Sequence, residues 1–387
     1  MDDISLTIII TTSCNLRCKY CINDSGKELT DYQNKNKEWK NSDDIIKCLV
    51  NISRIRNIRF IKLFGGEPML RYDLIKEIIN RRSEYSPNDS MTKIAFTTNG
   101  YYSLNDEMVK LFKENNVILN ISLDGPEEVN NASRISCDNK NVYRKVIENL
   151  EVLRAANCPF ALISVLDERI LEYNITIIEL ADYLSQYTNT YKIEPAYIIP
   201  ENNNIVRNGY KMTNIERLLA YETEFINEVF DRIINLDVNK YIYENNFIRT
   251  LSNAIYEVHK EFVCTAGEFM AIFPDKSAYS CYNLKIDEFL ISEDISIEKL
   301  ENLEKKLMEK KELLKINNYS DKYRDVEYYG DYCPKENNFD SFAYKYRKNM
   351  VDVIKHRLAE IKPGSKEHLA VLGYLAIGYD GAFFDNF

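Results

Sequence analysis

Six apolar runs rich in β-branched residues alternate with amphipathic segments through the first half of the chain. That alternation restricts the fold more than any other feature. The runs are Leu6 to Thr11, Arg59 to Leu63, Lys93 to Thr97, Val117 to Ser122, Phe160 to Val165 and Tyr191 to Tyr197, and each reads as a buried strand. Between the first two, Ile45, Cys48, Leu49 and Ile52 fall at helical spacing within 43–55, with Ser42 as the expected N-cap. Leu74, Ile75, Ile78 and Ile79 repeat the pattern, and 143–156 carries it ahead of the fifth run. Alternating βα units joined by right-handed crossovers predict an α/β fold with a parallel sheet. The pattern alone leaves the sheet either open or curled. In both forms, chemistry belongs on the loops leaving the C-terminal ends of the strands.

The first such loop holds Cys14, Cys18 and Cys21. Thiolates select zinc, copper(I) or iron–sulfur clusters. Structural zinc takes four ligands in two pairs, and no second CxxC pair exists in this chain. Three thiols on one loop suit three corners of a cubane with one iron left open, against a zinc loop or three unrelated core thiols. The CxxxCxxC spacing, with Tyr20 before its last cysteine, resembles the radical SAM superfamily. The resemblance implies a [4Fe-4S] cluster whose open iron is chelated by S-adenosylmethionine. On reduction it releases a 5′-deoxyadenosyl radical, which takes a hydrogen atom from a substrate.

The loops after the next strands carry further matches. Gly65-Gly66-Glu67-Pro68 resembles the family's GGEP, with the glycines expected to let backbone approach a ligand and Glu67 to pair with the ammonium of SAM. Thr97-Thr98-Asn99-Gly100 is similar to a common family form, and Ser122-Leu123-Asp124-Gly125-Pro126 to another. The resemblance implies cofactor contacts at Tyr20, Gly65, Gly66, Glu67, Pro68, Asn99, Ser122, Asp124 and Arg134. Ser122 and Asp124 are expected at the SAM carboxylate and ribose, and Arg134 at the carboxylate. Asn130 and Asn131 stand where the family pattern has His-Asp. No catalytic acid or base is identified. Cys48, Cys137 and Cys158 match nothing in the family and read as structural.

Beyond Pro200 the rhythm stops. Helical patterns are expected over 214–236 and 244–260, then a hairpin of 269–273 and 278–281 around Pro274-Asp275-Lys276-Ser277. This hairpin, between Cys264 and Cys281, resembles the start of SPASM and twitch extensions. The resemblance implies an auxiliary iron–sulfur cluster on Cys264, Cys281 and Cys333. Its fourth position is expected to be open, or else taken by His259 or Glu336. Lys276 stands where that pattern has Gly, so a differently built turn is expected. A charged helix is expected over 296–315 with Ile297, Leu300, Leu303 and Leu307 as its stripe, and two more helices before an aromatic tail, 383–387. The expected architecture is a partial (β/α)6 TIM-like barrel of radical SAM type with a C-terminal α+β twitch/SPASM-like extension. Its parts are 1–200 barrel, 201–260 helical connector, 261–345 auxiliary domain and 346–387 C-terminal helical segment.

The net charge of −10 disfavours a nucleic-acid partner. No apolar run reaches a membrane-spanning length. The acidic start, Met1-Asp2-Asp3, lacks the marks of a signal peptide. Nine cysteines without an export signal suit ligands and free thiols in a reducing cytoplasm. The resemblance implies an oxidoreductase acting on a ribosomally made peptide (crosslink, thioether or epimerisation), with an electron donor such as flavodoxin or ferredoxin. No peptide-recognition domain is expected ahead of Cys14, which leaves capture to the barrel mouth or the C-terminal helices. The alternatives are a small-molecule dehydrogenase or mutase, a sulfatase-maturase-like enzyme, and a degenerate metal-binding protein. Tyr282 and Asn283 after Cys281 count against the maturase, which usually carries an acid there.

Overall fold

Leu6, Ile8, Ile9 and Ile10 are at most 1% exposed, as a strand covered on both faces requires. Their segment is the centre of the sheet in the computed structural model, which describes residues 3–21, 38–86, 92–196, 212–258, 269–280, 289–313 and 342–381. In chain order the main elements are β1 (Asp3–Thr11), α1 (Ser42–Ser53), β2 (Asn57–Gly65), α2 (Tyr72–Asn80), β3 (Lys93–Thr98), α3 (Asp106–Glu114), β4 (Ile118–Ser122), α4 (Glu127–Ser133), α5 (Val142–Ala155), β5 (Phe160–Leu166), α6 (Ile177–Ser185), β6 (Tyr191–Pro195), α7 (Ile215–Ile234), α8 (Asn245–Ile255), β7 (Phe269–Ile272), β8 (Ala278–Tyr279), β9 (Leu290–Ser292), α9 (Leu300–Leu313), α10 (Phe342–Ala359) and α11 (Lys366–Gly381). The six expected strands all form. Contacts divide the chain into two units, the first being Met1–Ser122, Arg134–Phe160 and Cys264–Tyr319, the second Leu123–Ser133, Ala161–Val263 and Ser320–Phe387.

In the first unit the strand order is β4-β3-β2-β1-β7-β8-β9. Strands β1 to β4 are parallel, with Thr7 beside Lys62 and Ile8 beside Leu63. The apolar stripe of α1 buries Ile45, Leu49 and Ile52, and that of α2 buries Leu74, Ile75, Ile78 and Ile79. Ser42 is not the N-cap of α1. Asn41 takes that place, because its extended backbone lets the side chain accept the Asp44 N–H at 3.1 Å.

Strand β7 lies parallel to β1 and antiparallel to β8, so the hairpin enlarges the central sheet. Lys276 takes a left-handed backbone itself. Lys276 sits at φ 68°, its N–H donates to Phe273 O at 2.8 Å, and its ammonium lies 3.0 Å from Asp44. Further on, Asn51 of α1 donates to Ile295 O at 2.8 Å and to Glu298 O at 3.1 Å. Helix α9 begins at Leu300, later than expected. Ile297 is therefore outside its stripe and 79% exposed, whereas Leu303 is fully buried. The reason is local: Asp294 accepts the Ser296 N–H at 3.0 Å and holds that stretch as a turn.

In the second unit β5 and β6 pair in parallel. Helices α7, α8 and α11 bury an aromatic cluster in which Phe225, Phe230 and Tyr374 meet Phe247 edge to face. Among the described residues no helix is long and apolar enough to cross a membrane.

Candidate cluster and cofactor site

Two glycines bring the end of β2 against the start of the cysteine loop. A Cβ on Gly65 would stand 2.1 Å from Thr11 O, and one on Gly66 2.1 Å from Ser13 O. Gly65 also holds φ 139°, a conformation that side chains rarely adopt. The close approach made here is to backbone of the same chain. Gly66 N–H donates to Thr11 O at 2.9 Å and Glu67 N–H to Ser13 O at 2.8 Å. Pro68 follows as the first residue of a 3-10 turn, 68–71, which Glu67 caps.

The Glu67 carboxyl is fully buried. Its Oε1 accepts from Met69 N–H at 2.9 Å and from Thr98 Oγ1 at 2.7 Å. Its Oε2 accepts from Asn99 N–H at 2.7 Å, leaving Oε2 the oxygen with more capacity for a further donor. Burial raises Glu67 from 4.5 to about 7, against these three bonds and the nearby charge of Arg134, which pull it down. Arg134 is 5% exposed, and its guanidinium stands over the Tyr20 ring, 5.7 Å from the centroid. A buried acid held near neutrality and a nearby buried cation suit a ligand carrying both an ammonium and a carboxylate.

The cysteine loop is fastened on several sides. Arg17 N–H donates to Ile135 O at 2.7 Å and Cys137 N–H to Asn15 O at 3.0 Å, around an antiparallel bridge between Leu16 and Ser136. Glu38 Oε1 accepts from the Thr11 hydroxyl and from the backbone and hydroxyl of Thr12 at 2.9–3.1 Å. Asn15 and Asn99 meet at 2.7 Å, and the Asn99 amide reaches Cys14 Sγ at 3.8 Å. Sequence reasoning missed Asn15, Glu38 and 135–137, since the side-chain and backbone bonds that hold a loop leave no spacing signature.

Cys14, Cys18 and Cys21 are partly exposed thiols. Burial pushes the Cys14 thiol up to about 11, and Glu67 and Cys21 add to this. A bound metal would favour the thiolate against that burial. Among the described residues no three His, Cys, Asp or Glu side chains converge on one point to hold a single ion. A cubane offers separate irons at its corners, so thiolates stand around it instead of meeting. The donor set, three cysteines on one loop without a second CxxC pair, fits a cubane with one open iron.

Ser122 ends β4 and is 8% exposed. Asp124, in the second unit, is 1% exposed. It accepts from Val165 N–H at 3.0 Å and lies 3.6 Å from Arg169. Asn130, at the position of the family's histidine, accepts the Asp124 N–H at 3.2 Å. Cys48 and Cys158 are buried, as structural thiols should be, but Cys137 is exposed and serves through its backbone contact with Asn15. Cys264, Cys281, Cys333, His259 and Glu336 lie outside the described residues, as does the tail 383–387.

The model of the radical SAM superfamily matches residues 8–181, a span containing this whole constellation. Those residues are a radical SAM domain. Membership of that family implies a [4Fe-4S] cluster and S-adenosylmethionine, and the fold is the open, mostly parallel radical SAM one. A cysteine-type anaerobic sulfatase-maturating enzyme of Clostridium novyi is 30% identical over 176 residues, 42% of this chain and 44% of that one. The radical SAM cyclopropyl synthase TigE of Paramaledivibacter caminithermalis is 28% identical over 189 residues, 46% of this chain and 38% of its own. These alignments thus take in less than half of either relative. Among solved structures, anSMEcpe with bound AdoMet is 17% identical with a TM-score of 0.72, covering 97% of this chain and 99% of its own.

Proposed function

We propose that this chain is a radical SAM enzyme that takes a hydrogen atom from a peptide. The supporting observation is a whole-length likeness to anSMEcpe solved with AdoMet and the Cp18Cys peptide, which covers 92% of this chain and 98% of its own at a TM-score of 0.71. When bound, the cluster and S-adenosylmethionine supply a 5′-deoxyadenosyl radical. Cys14, Cys18 and Cys21 would hold the three irons that SAM does not. Glu67 would take the SAM ammonium and Arg134 its carboxylate, with Tyr20 stacked against that guanidinium. The turn Gly65 to Pro68 fixes Glu67 at the root of the cysteine loop, so cluster and cofactor share one rigid support. Ser122 and Asp124 are the candidates for the SAM carboxylate and ribose respectively, Asp124 at the expense of its contact with Arg169. An auxiliary cluster on Cys264, Cys281 and Cys333 belongs to the same proposal.

A second reading also has support. The Clostridium relative, a cysteine-type anaerobic sulfatase-maturating enzyme, favours a sulfatase-maturating role. Two peptide arms separate the readings. Anaerobically reconstituted enzyme is given either short peptides encoded beside its gene or a sulfatase-derived cysteine peptide. Mass change and 5′-deoxyadenosine yield are then followed. A crosslinked or epimerised product from the neighbouring peptide supports the first reading. Turnover of the sulfatase peptide alone replaces it with the second.

A further inference from the structure

Asn99 resembles a cofactor contact in sequence, yet its side-chain amide nitrogen faces the cysteine loop. Its Oδ1 accepts the Tyr101 N–H at 2.8 Å. An N–H group only donates, so this contact fixes which end of the amide is oxygen. The Nδ2 end therefore faces Asn15 Oδ1 at 2.7 Å and Cys14 Sγ at 3.8 Å. Asn15 is oriented by the same logic. Its Nδ2 donates to the Tyr101 carbonyl at 2.7 Å, which turns its Oδ1 toward Asn99. Two hydrogens on the Asn99 amide thus meet two acceptors, one of them the Cys14 sulfur. A second donor, the Leu16 N–H, reaches that sulfur at 3.4 Å. Asn99 is only 8% exposed, so water competes little for these bonds.

We propose that Asn99 is a positioning residue for the cluster, donating an amide N–H to the Cys14 thiolate and thereby setting the reduction potential, and is not a SAM ligand. The inference rests on Cys14, Cys18 and Cys21 being the cluster ligands. Hydrogen bonds to ligand sulfur stabilise negative charge, and reduction adds negative charge, so each such bond raises the potential. Removing the donor makes the cluster harder to reduce.

The test is a redox titration of the SAM-free, reconstituted full chain, read by the part of the reduced-cluster EPR signal that is absent from Cys18→Ala, which excludes the auxiliary cluster. That signal reports only loaded protein, so partial assembly does not blur the comparison. Asn99→Ser keeps an oxygen for the Tyr101 N–H, as Thr98 Oγ1 does for the Gly100 N–H at 3.1 Å, but falls short of Cys14. At a fixed poise its ratio of reduced to oxidised cluster should fall roughly threefold. That is about 28 mV more negative at 59 mV per decade for one electron. Asn99→Asp retains the turn and sets a carboxylate oxygen against the sulfur, so its potential should fall further. SAM affinity of Asn99→Ser, measured separately, should stay within about twofold of wild type. Wild-type potentials in both variants would overturn the inference, and a loss of SAM affinity alongside them would return Asn99 to the cofactor. A wild type that holds no iron after reconstitution would instead refute the ligand assignment itself.

Discussion

Glu67 shows how one buried residue links stability to ligand binding. Its carboxyl is raised from 4.5 to about 7 by burial, so the native state binds a proton that the unfolded chain has released. For a group raised on folding, the stabilisation is complete below pH 4.5 and is lost as pH rises through 7. The ligand-free protein should therefore lose stability from this residue between those values, on the order of 3 kcal/mol in total. Glu67→Gln should abolish that part of the slope, as read from chemical denaturation at each pH. An ammonium ligand works in the opposite sense. SAM should bind more tightly as pH rises through 7 in wild type and show no such gain in Glu67→Gln. Equal pH profiles in the two proteins would reduce Glu67 to a turn cap. Lys276 gives a simpler case. Its left-handed backbone costs a side-chain residue roughly 1–2 kcal/mol, and its contact with Asp44 returns less than about 1. Lys276→Gly should accordingly raise stability by up to about 1 kcal/mol, and a fall on denaturation would show that the contact outweighs the strain.

At the scale of elements, the strands and most helices were legible because burial on both faces produces uninterrupted apolar runs and burial on one face a 3.6-residue stripe. Legibility ended where a partner distant in sequence decides the outcome. The apolar pattern of 269–272 announces a strand but not that β7 pairs with β1. Strand β9, three residues long, is too short for any periodicity. Ile297 looks like part of a helical stripe, yet the Asp294 turn ends before the helix begins. The glycine pair is legible as a motif, but its contact with the chain's own backbone is not. Gly65 and Gly66 allow backbone-to-backbone contact with 11–13, a distance that no sequence pattern records. Gly66→Ala should cost about 3 kcal/mol or more, the upper end for overpacking, because the obstacle is a carbonyl that cannot rotate away. Iron incorporation should fall with it. A variant with wild-type melting and iron content would show that the turn can shift freely.

For the whole molecule, the site in the first unit was the most legible part, since cluster and cofactor chemistry dictate residue types at fixed spacing. The residues that support it were not, because Asn15, Glu38 and 135–137 act through hydrogen bonds to partners distant in sequence. The second unit keeps buried carboxyls of its own. Burial raises Glu244 to about 7 and Glu222 well above the usual range, and both sit among the helices that follow the βα repeats. The central claim is that Cys14, Cys18 and Cys21 arm this scaffold for radical chemistry. The most direct measurement is 5′-deoxyadenosine formation by anaerobically reconstituted wild type and Cys18→Ala, with dithionite as reductant. The account predicts SAM cleavage by wild type and none by a folded Cys18→Ala variant. Equal yields from the two proteins would contradict it.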